Sequence, residues 1–127
     1  MSTPAQRVRR GLLGIDGVIE SPGNFTDDDA FWVNGKDIAH FHGKNAIELR
    51  LTKAEISARR SELRDDPRFE LRRGTSDWIT VRYASLRDVA LVLELAKIAV
   101  AAHCPPAGVP ARLPPVGAAL ERRRRFH

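Results

Sequence analysis

The sequence predicts an α+β fold: an antiparallel sheet of about five strands with two main helices packed on one face, a short N-terminal helix and a flexible C-terminal tail. Three observations carry this. Phe31 to Leu51 (FWVNGKDIAHFHGKNAIELRL) alternates apolar and polar residues around Asn34-Gly35, the dipeptide best suited to a two-residue hairpin turn with positive φ at both positions. Phe69 to Arg72 and Trp78 to Tyr83 form a second alternating pair across a Gly74-Thr75-Ser76-Asp77 turn. Helix-start signals, Thr52 with Glu55 and Ser85 with Asp88, follow the strands directly. Strands grouped between helices, joined by tight turns, argue an antiparallel rather than a parallel sheet.

In chain order, residues 4–13 form the short first helix, with Pro4 in its first turn and Val8, Leu12 and Leu13 at helical spacing; Gly11 and Gly14 limit its length. Val18-Ile19 opens a strand that Ser21-Pro22-Gly23 ends, and Asn24 to Asp29 is a polar connector. The Asn34-Gly35 turn pairs Val33 with Lys36 and Phe31 with Ile38. A capping box at Thr52 and Glu55 starts a helix running to about Leu63, with Ile56 and Leu63 inward, and Asp65-Asp66-Pro67 stops it. Ser85 caps the longest helix, Leu86 to His103, whose circumference is mostly apolar. Such a helix is deeply buried or shared with a second copy of the chain as a homodimer, burial being the expectation. Residues 1–103 are thus one α+β domain. Residues 104–127 are a proline-rich linker and basic tail, with a weak helix over Ala118 to His127.

A chain of 127 residues is long enough for one core without disulfide or metal staples. The single cysteine, Cys104, suits a reducing cytoplasmic setting and a packing role. No apolar run reaches the length of a membrane span, and the N-terminus lacks the apolar core of a secretory signal, so neither membrane nor leader is expected. Of the net charge of +5, three come from Arg7, Arg9 and Arg10 and four from residues 104–127, which leaves residues 16–103 at −2. The folded body is therefore slightly acidic. Nucleic acid is not the expected partner, except non-specifically through Arg122-Arg123-Arg124-Arg125.

The candidate site lies on the central strands. If Gly43-Lys44-Asn45 is a three-residue loop, His42 pairs with Ala46 and His40 with Glu48. Ala39 and Phe41 then join Ile47, Leu49 and Leu51 on the core face, and no charged residue enters the core. A loop of two or four residues would bury both histidines instead. The three-residue loop places His40, His42, Glu48 and Arg50 on one face with Phe31, Val33 and Ile38 beside them, and Trp78, Thr80 and Arg82 extend it. Converging polar groups over an apolar floor describe a small-molecule site. His40 opposite Glu48 is equally what an ordinary cross-strand pair looks like. His40, His42 and Glu48 would also offer two imidazoles and a carboxylate to a metal, but the spacing matches no metal motif, and no metal is expected. No phosphate loop or nucleophile elbow is present.

FWVNGKDIAHFHG, IELRLTKAEISARRSEL and SDWITVRYASLRDVALVLELAKIA together resemble the small bacterial luciferase-domain family, over about residues 8–103. That family is named for its similarity to the luciferase of bioluminescent fungi. The fungal enzyme oxidises a hydroxypyrone with molecular oxygen, without flavin or metal. The resemblance implies a cofactor-free site that deprotonates an electron-rich hydroxylated ring, with His40 or His42 as the base. By the face argument, Arg50 or Arg82 would stabilise the oxyanion and Trp78 would stack on the ring. The membrane anchor of the fungal enzymes is not expected here. The runner-up reading is a non-enzymatic interaction module acting through the long apolar helix or the arginine run.

Overall fold

The computed structural model describes residues 2–24, 28–72, 74 and 76–126. The connector expected over 24–29 and the turn expected over 74–77 thus fall partly outside the described residues. The elements in order are α1 (Pro4–Leu13), β1 (Ile19–Pro22), β2 (Asp29–Val33), β3 (Lys36–Phe41), β4 (Ala46–Arg50), α2 (Lys53–Ala58), α3 (Arg60–Asp65), β5 (Phe69–Leu71), β6 (Trp78–Arg82), α4 (Leu86–His103) and α5 (Ala118–Arg125). The six strands form one antiparallel sheet in the order β1-β2-β3-β4-β6-β5. The fold is α+β, as the pattern predicts. The sixth strand is β1, where the short Val18-Ile19 signal extends to Pro22 and pairs with β2.

Two loops fix the register of the central strands. Asn34 (φ 50°) and Gly35 (φ 72°) both adopt positive φ, and Val33 pairs with Lys36 as expected. The three-residue loop Gly43-Lys44-Asn45 closes the next hairpin. His42 N–H donates to the Ala46 carbonyl at 2.9 Å, His40 pairs with Glu48, and Ala39 pairs with Leu49.

Farther along β2 the expectation fails. Phe31 pairs with Ala39, not Ile38, while Trp32 pairs with Asp37, so Ile38 is an extra residue in β3. The resulting β-bulge lets the adjacent Ile38 and Ala39 both enter the core. Phe31, Val33 and Ile38 therefore do not floor the histidine face; they belong to the main core. Ala30 and Trp32 line the opposite face instead.

The main core lies under α4, which crosses β3 and β4 with α1 packed alongside it. Val89, Val92, Leu95, Ala96, Ala99 and Val100 of α4 are buried there, together with Val8 and Leu12 of α1. Gly11 sits inside α1 and does not end it. A Cβ at Gly11 would lie 2.4 Å from the Leu93 side chain, so the missing side chain is what lets the two helices approach. The helix expected from Thr52 to Leu63 is divided at Arg59 into α2 and α3, with Ile56 and Leu63 both buried. Only half of its capping box forms. Thr52 Oγ1 accepts from Glu55 N–H, but Thr52 N–H is already used by the Asp77 carbonyl at 3.0 Å, and the Glu55 carboxylate turns to Arg59 at 3.1 Å. The box at Ser85 and Asp88 is complete.

The C-terminal segment, expected to be a flexible tail, is held against the second face of the sheet. Leu120 of α5 is buried with Ala30 and Trp32. Arg112 N–H donates to Asn34 Oδ1 at 2.9 Å, Arg123 Nη1 to the Gly35 carbonyl at 2.8 Å, and Arg124 Nη2 to the Gly23 carbonyl at 2.8 Å. An exposed tryptophan-centred patch needs a cover, and α5 supplies it. Cys104, expected to pack inside, is exposed at the end of α4 with its thiol 3.3 Å from the Ala101 carbonyl. Among the described residues no helix is long and apolar enough to cross a membrane.

Candidate functional site

The bulge that moves Ile38 inward also aims two acids and two histidines at one another. In an unbroken strand Asp37 and His40 would point to opposite faces. With Ile38 inserted they share a face, and Asp37 Oδ1 lies 3.8 Å from His40 Nδ1. Asp37 is fully buried, and its Oδ2 accepts from the Asn24 backbone N–H at 3.1 Å. On the other side of the imidazole, His40 Nε2 lies 3.2 Å from Glu48 Oε2. His40 is only 5% exposed, so it is held between two carboxylates inside the protein.

Glu48 gathers the rest. Its Oε1 lies 3.4 Å from His42 Nδ1, and its Oε2 also receives Arg72 Nη2 in a short charge-assisted contact. The carboxylate is mostly shielded, whereas the His42 side chain is 69% exposed. One carboxylate therefore serves a buried imidazole, an exposed imidazole and a guanidinium.

Trp78 forms the flank. Its ring centroid is 5.0 Å from that of His40, and the Arg50 guanidinium carbon sits 5.8 Å from the indole centroid, within cation–π range. Asp77 holds this end together. Its carboxylate accepts from Lys53 N–H at 3.0 Å and lies 3.8 Å from Arg50. Trp78 also lines a cavity of about 300 Å³ together with Lys53, Arg60 and Arg72, closed by Ile56 and Leu71. Arg72 thus belongs both to the cavity wall and to the Glu48 cluster. That volume suits a ligand of one ring, at the lower end for small-molecule sites.

The structure brings His40, His42, Glu48, Arg50 and Trp78 to the same face, as the loop argument predicts. Arg82 shares the face in register, opposite Ala46, but its guanidinium turns to Glu70 at 3.2 Å and to the Pro67 carbonyl at 3.5 Å. Sequence reasoning misses Asp37 and Arg72. Asp37 was signalled by the consecutive apolar pair Ile38-Ala39, which breaks strand alternation and marks a bulge. For Arg72, at the end of a three-residue strand, no sequence signal points to Glu48. Among the described residues no group of three or more His, Cys, Asp or Glu side chains is placed to hold a metal ion.

A family profile described as "Luciferase domain" matches residues 35–99, a little over half of the chain. The chain belongs to the luciferase-domain family. The matched region runs from the β2–β3 turn into α4 and includes His40, His42, Glu48, Arg50, Arg72 and Trp78. α1, β1, β2 and α5 lie outside it. No curated protein and no solved structure matches.

Proposed function

We propose that the domain binds a small, electron-rich hydroxylated ring beside Trp78 and removes its hydroxyl proton, the step that prepares such a ring to react with molecular oxygen. The observation that carries this reading is the Glu48 carboxylate, which joins His40, His42 and the cavity residue Arg72 in one cluster. His42 is the proton acceptor: it is open to solvent, and Glu48 behind Nδ1 orients the ring and stabilises the imidazolium that forms. His40, held between Asp37 and Glu48, is a positioning residue that fixes the carboxylate. Arg72 and Arg50 face the same side and would stabilise the phenolate-like oxyanion; Arg82 is engaged elsewhere. Trp78 offers the stacking surface.

The test is an NMR titration with hydroxypyrones and catechols, following the imidazole signals of His42 and the indole signal of Trp78. One compound class shifting both together, with oxygen uptake that His42→Ala abolishes, supports the reading. Binding without oxygen uptake reduces it to a ligand-binding module. Unmoved His42 and Trp78 signals across the panel would remove the site altogether.

A further inference from the structure

We propose that the groove between α5 and the β3–β4 side of the sheet binds a small molecule bearing a carboxylate or a phosphate. The groove has a volume of about 630 Å³ and is lined by Lys36, Arg50, Ala119, Arg122, Arg123 and Phe126. Four of these are cations, and no carboxylate lines it. Lys36 comes from β3, Arg50 from β4 and the other two from α5, so the site exists only because the C-terminal segment docks. Four positive groups around one shallow volume repel each other and focus a positive potential that an anion relieves.

The protein leaves most of that charge unmet. The side chains of Lys36 and Arg122 form no ion pair or hydrogen bond among the described residues. Arg50 reaches Asp77 only at 3.8 Å, and its buried Nε has no hydrogen-bond partner among the described residues. Arg123 gives one donor to the Gly35 carbonyl and keeps the rest of its fork. Guanidinium forks match planar carboxylates and phosphates in a bidentate way. Ala119 and the largely exposed Phe126 add an apolar wall, which suits an anion carried on a small organic body.

The same contacts argue against an extended polyanion. Arg124 spends both Nε and Nη2 on the Gly23 carbonyl, so the four-arginine run is interrupted and is not a continuous stripe for successive phosphates. The inference rests on the docked α5 and shares only Arg50 with the histidine site; Lys36, Arg122, Arg123 and Phe126 have no part in that site.

The experiment is a titration of the full chain at fixed ionic strength with orthophosphate, benzoate and neutral benzamide, following the Arg Nε–H signals and the Phe126 ring by NMR. Saturable shifts at Arg122, Arg123 and Phe126 with phosphate or benzoate, absent with benzamide, are expected; which anion saturates first identifies the headgroup. Lys36→Gln with Arg122→Gln should weaken binding on the order of tenfold or more while leaving the unfolding midpoint in place, because neither side chain anchors α5. Arg122→Gln alone serves if the pair perturbs folding. His42→Ala should bind the anion unchanged, which separates this outcome from the function proposed above. Equal shifts with chloride or benzamide, undiminished binding by the Gln variants, loss in His42→Ala, or no saturable shift at all would each overturn the proposal.

Discussion

Glu48 and His42 sit 3.4 Å apart, yet their removal should have opposite consequences. Glu48 is shielded and accepts from the buried His40 and from Arg72, so Glu48→Ala strands a buried imidazole beside Asp37 and leaves Arg72 without its partner. Leaving such groups unsatisfied costs about 1–3 kcal/mol. His42 is mostly in water and contributes one screened contact, so His42→Ala should stay within about 0.5 kcal/mol of the parent. Urea unfolding of the two variants checks this. A Glu48→Ala midpoint equal to that of His42→Ala would mean that the cluster does not hold the sheet face in place. The two residues thus separate stability from reactivity, and any loss of turnover in His42→Ala can be read as chemistry.

Elements show which features local chemistry decides. The Asn34-Gly35 turn and the Gly43–Asn45 loop were legible because each is set by residues within it, by positive φ in one and by the exclusion of charge from the core in the other. The bulge left only a trace, the consecutive apolar pair Ile38-Ala39; its place was decided by α4 lying over β3, which rewards burying both residues together. Gly11 carries the same lesson. Local propensity alone makes Gly11→Ala stabilising by roughly 1 kcal/mol in mid-helix. The Leu93 side chain opposes that gain, because it must rotate away from a new Cβ, so the variant should fall clearly short of the propensity gain of ~1 kcal/mol in thermal or urea unfolding; the full gain would show that Leu93 moves aside at no cost. The start of α4 is sensitive to acid. Asp88, which accepts from the backbone N–H groups of Ala84 and Ser85 and from Arg68, titrates at about 2, and Arg68 also holds Asp66 below the usual carboxylate range. Both carboxylates are depressed on folding. Their contribution is therefore complete above about pH 4, the unfolded value, and is lost as the pH falls toward 2. Asp88→Asn should lower the urea midpoint at pH 6, and that deficit should narrow steadily between pH 4 and pH 2. A deficit that is the same at both ends would show that Asp88 acts through its shape and not its charge.

At the scale of the whole molecule the sheet has two faces and two covers. α4 and α1 cover one from inside the family-matched region and from just before it; α5 covers part of the other from beyond the match. Nothing in the sequence signalled the second cover, because a proline-rich segment has no periodicity, and Leu120 meets Trp32 only once the chain has folded. Charge favours the arrangement: the C-terminal 24 residues carry +4 and residues 16–103 carry −2. The attachment is nevertheless apolar at its centre, with Leu120 95% buried and Trp32 completely so. Leu120→Ala should therefore cost about 2–3 kcal/mol if α5 is part of the cooperative unit. Truncation after His103 should expose the Trp32 indole, seen as a red shift of its fluorescence and quenching by iodide. High salt should loosen the segment only modestly, since screening weakens the charge term and leaves the Leu120 contact. If truncation changed neither the emission nor the unfolding midpoint, α5 would be a separate tail, and the groove between it and the sheet would exist only intermittently.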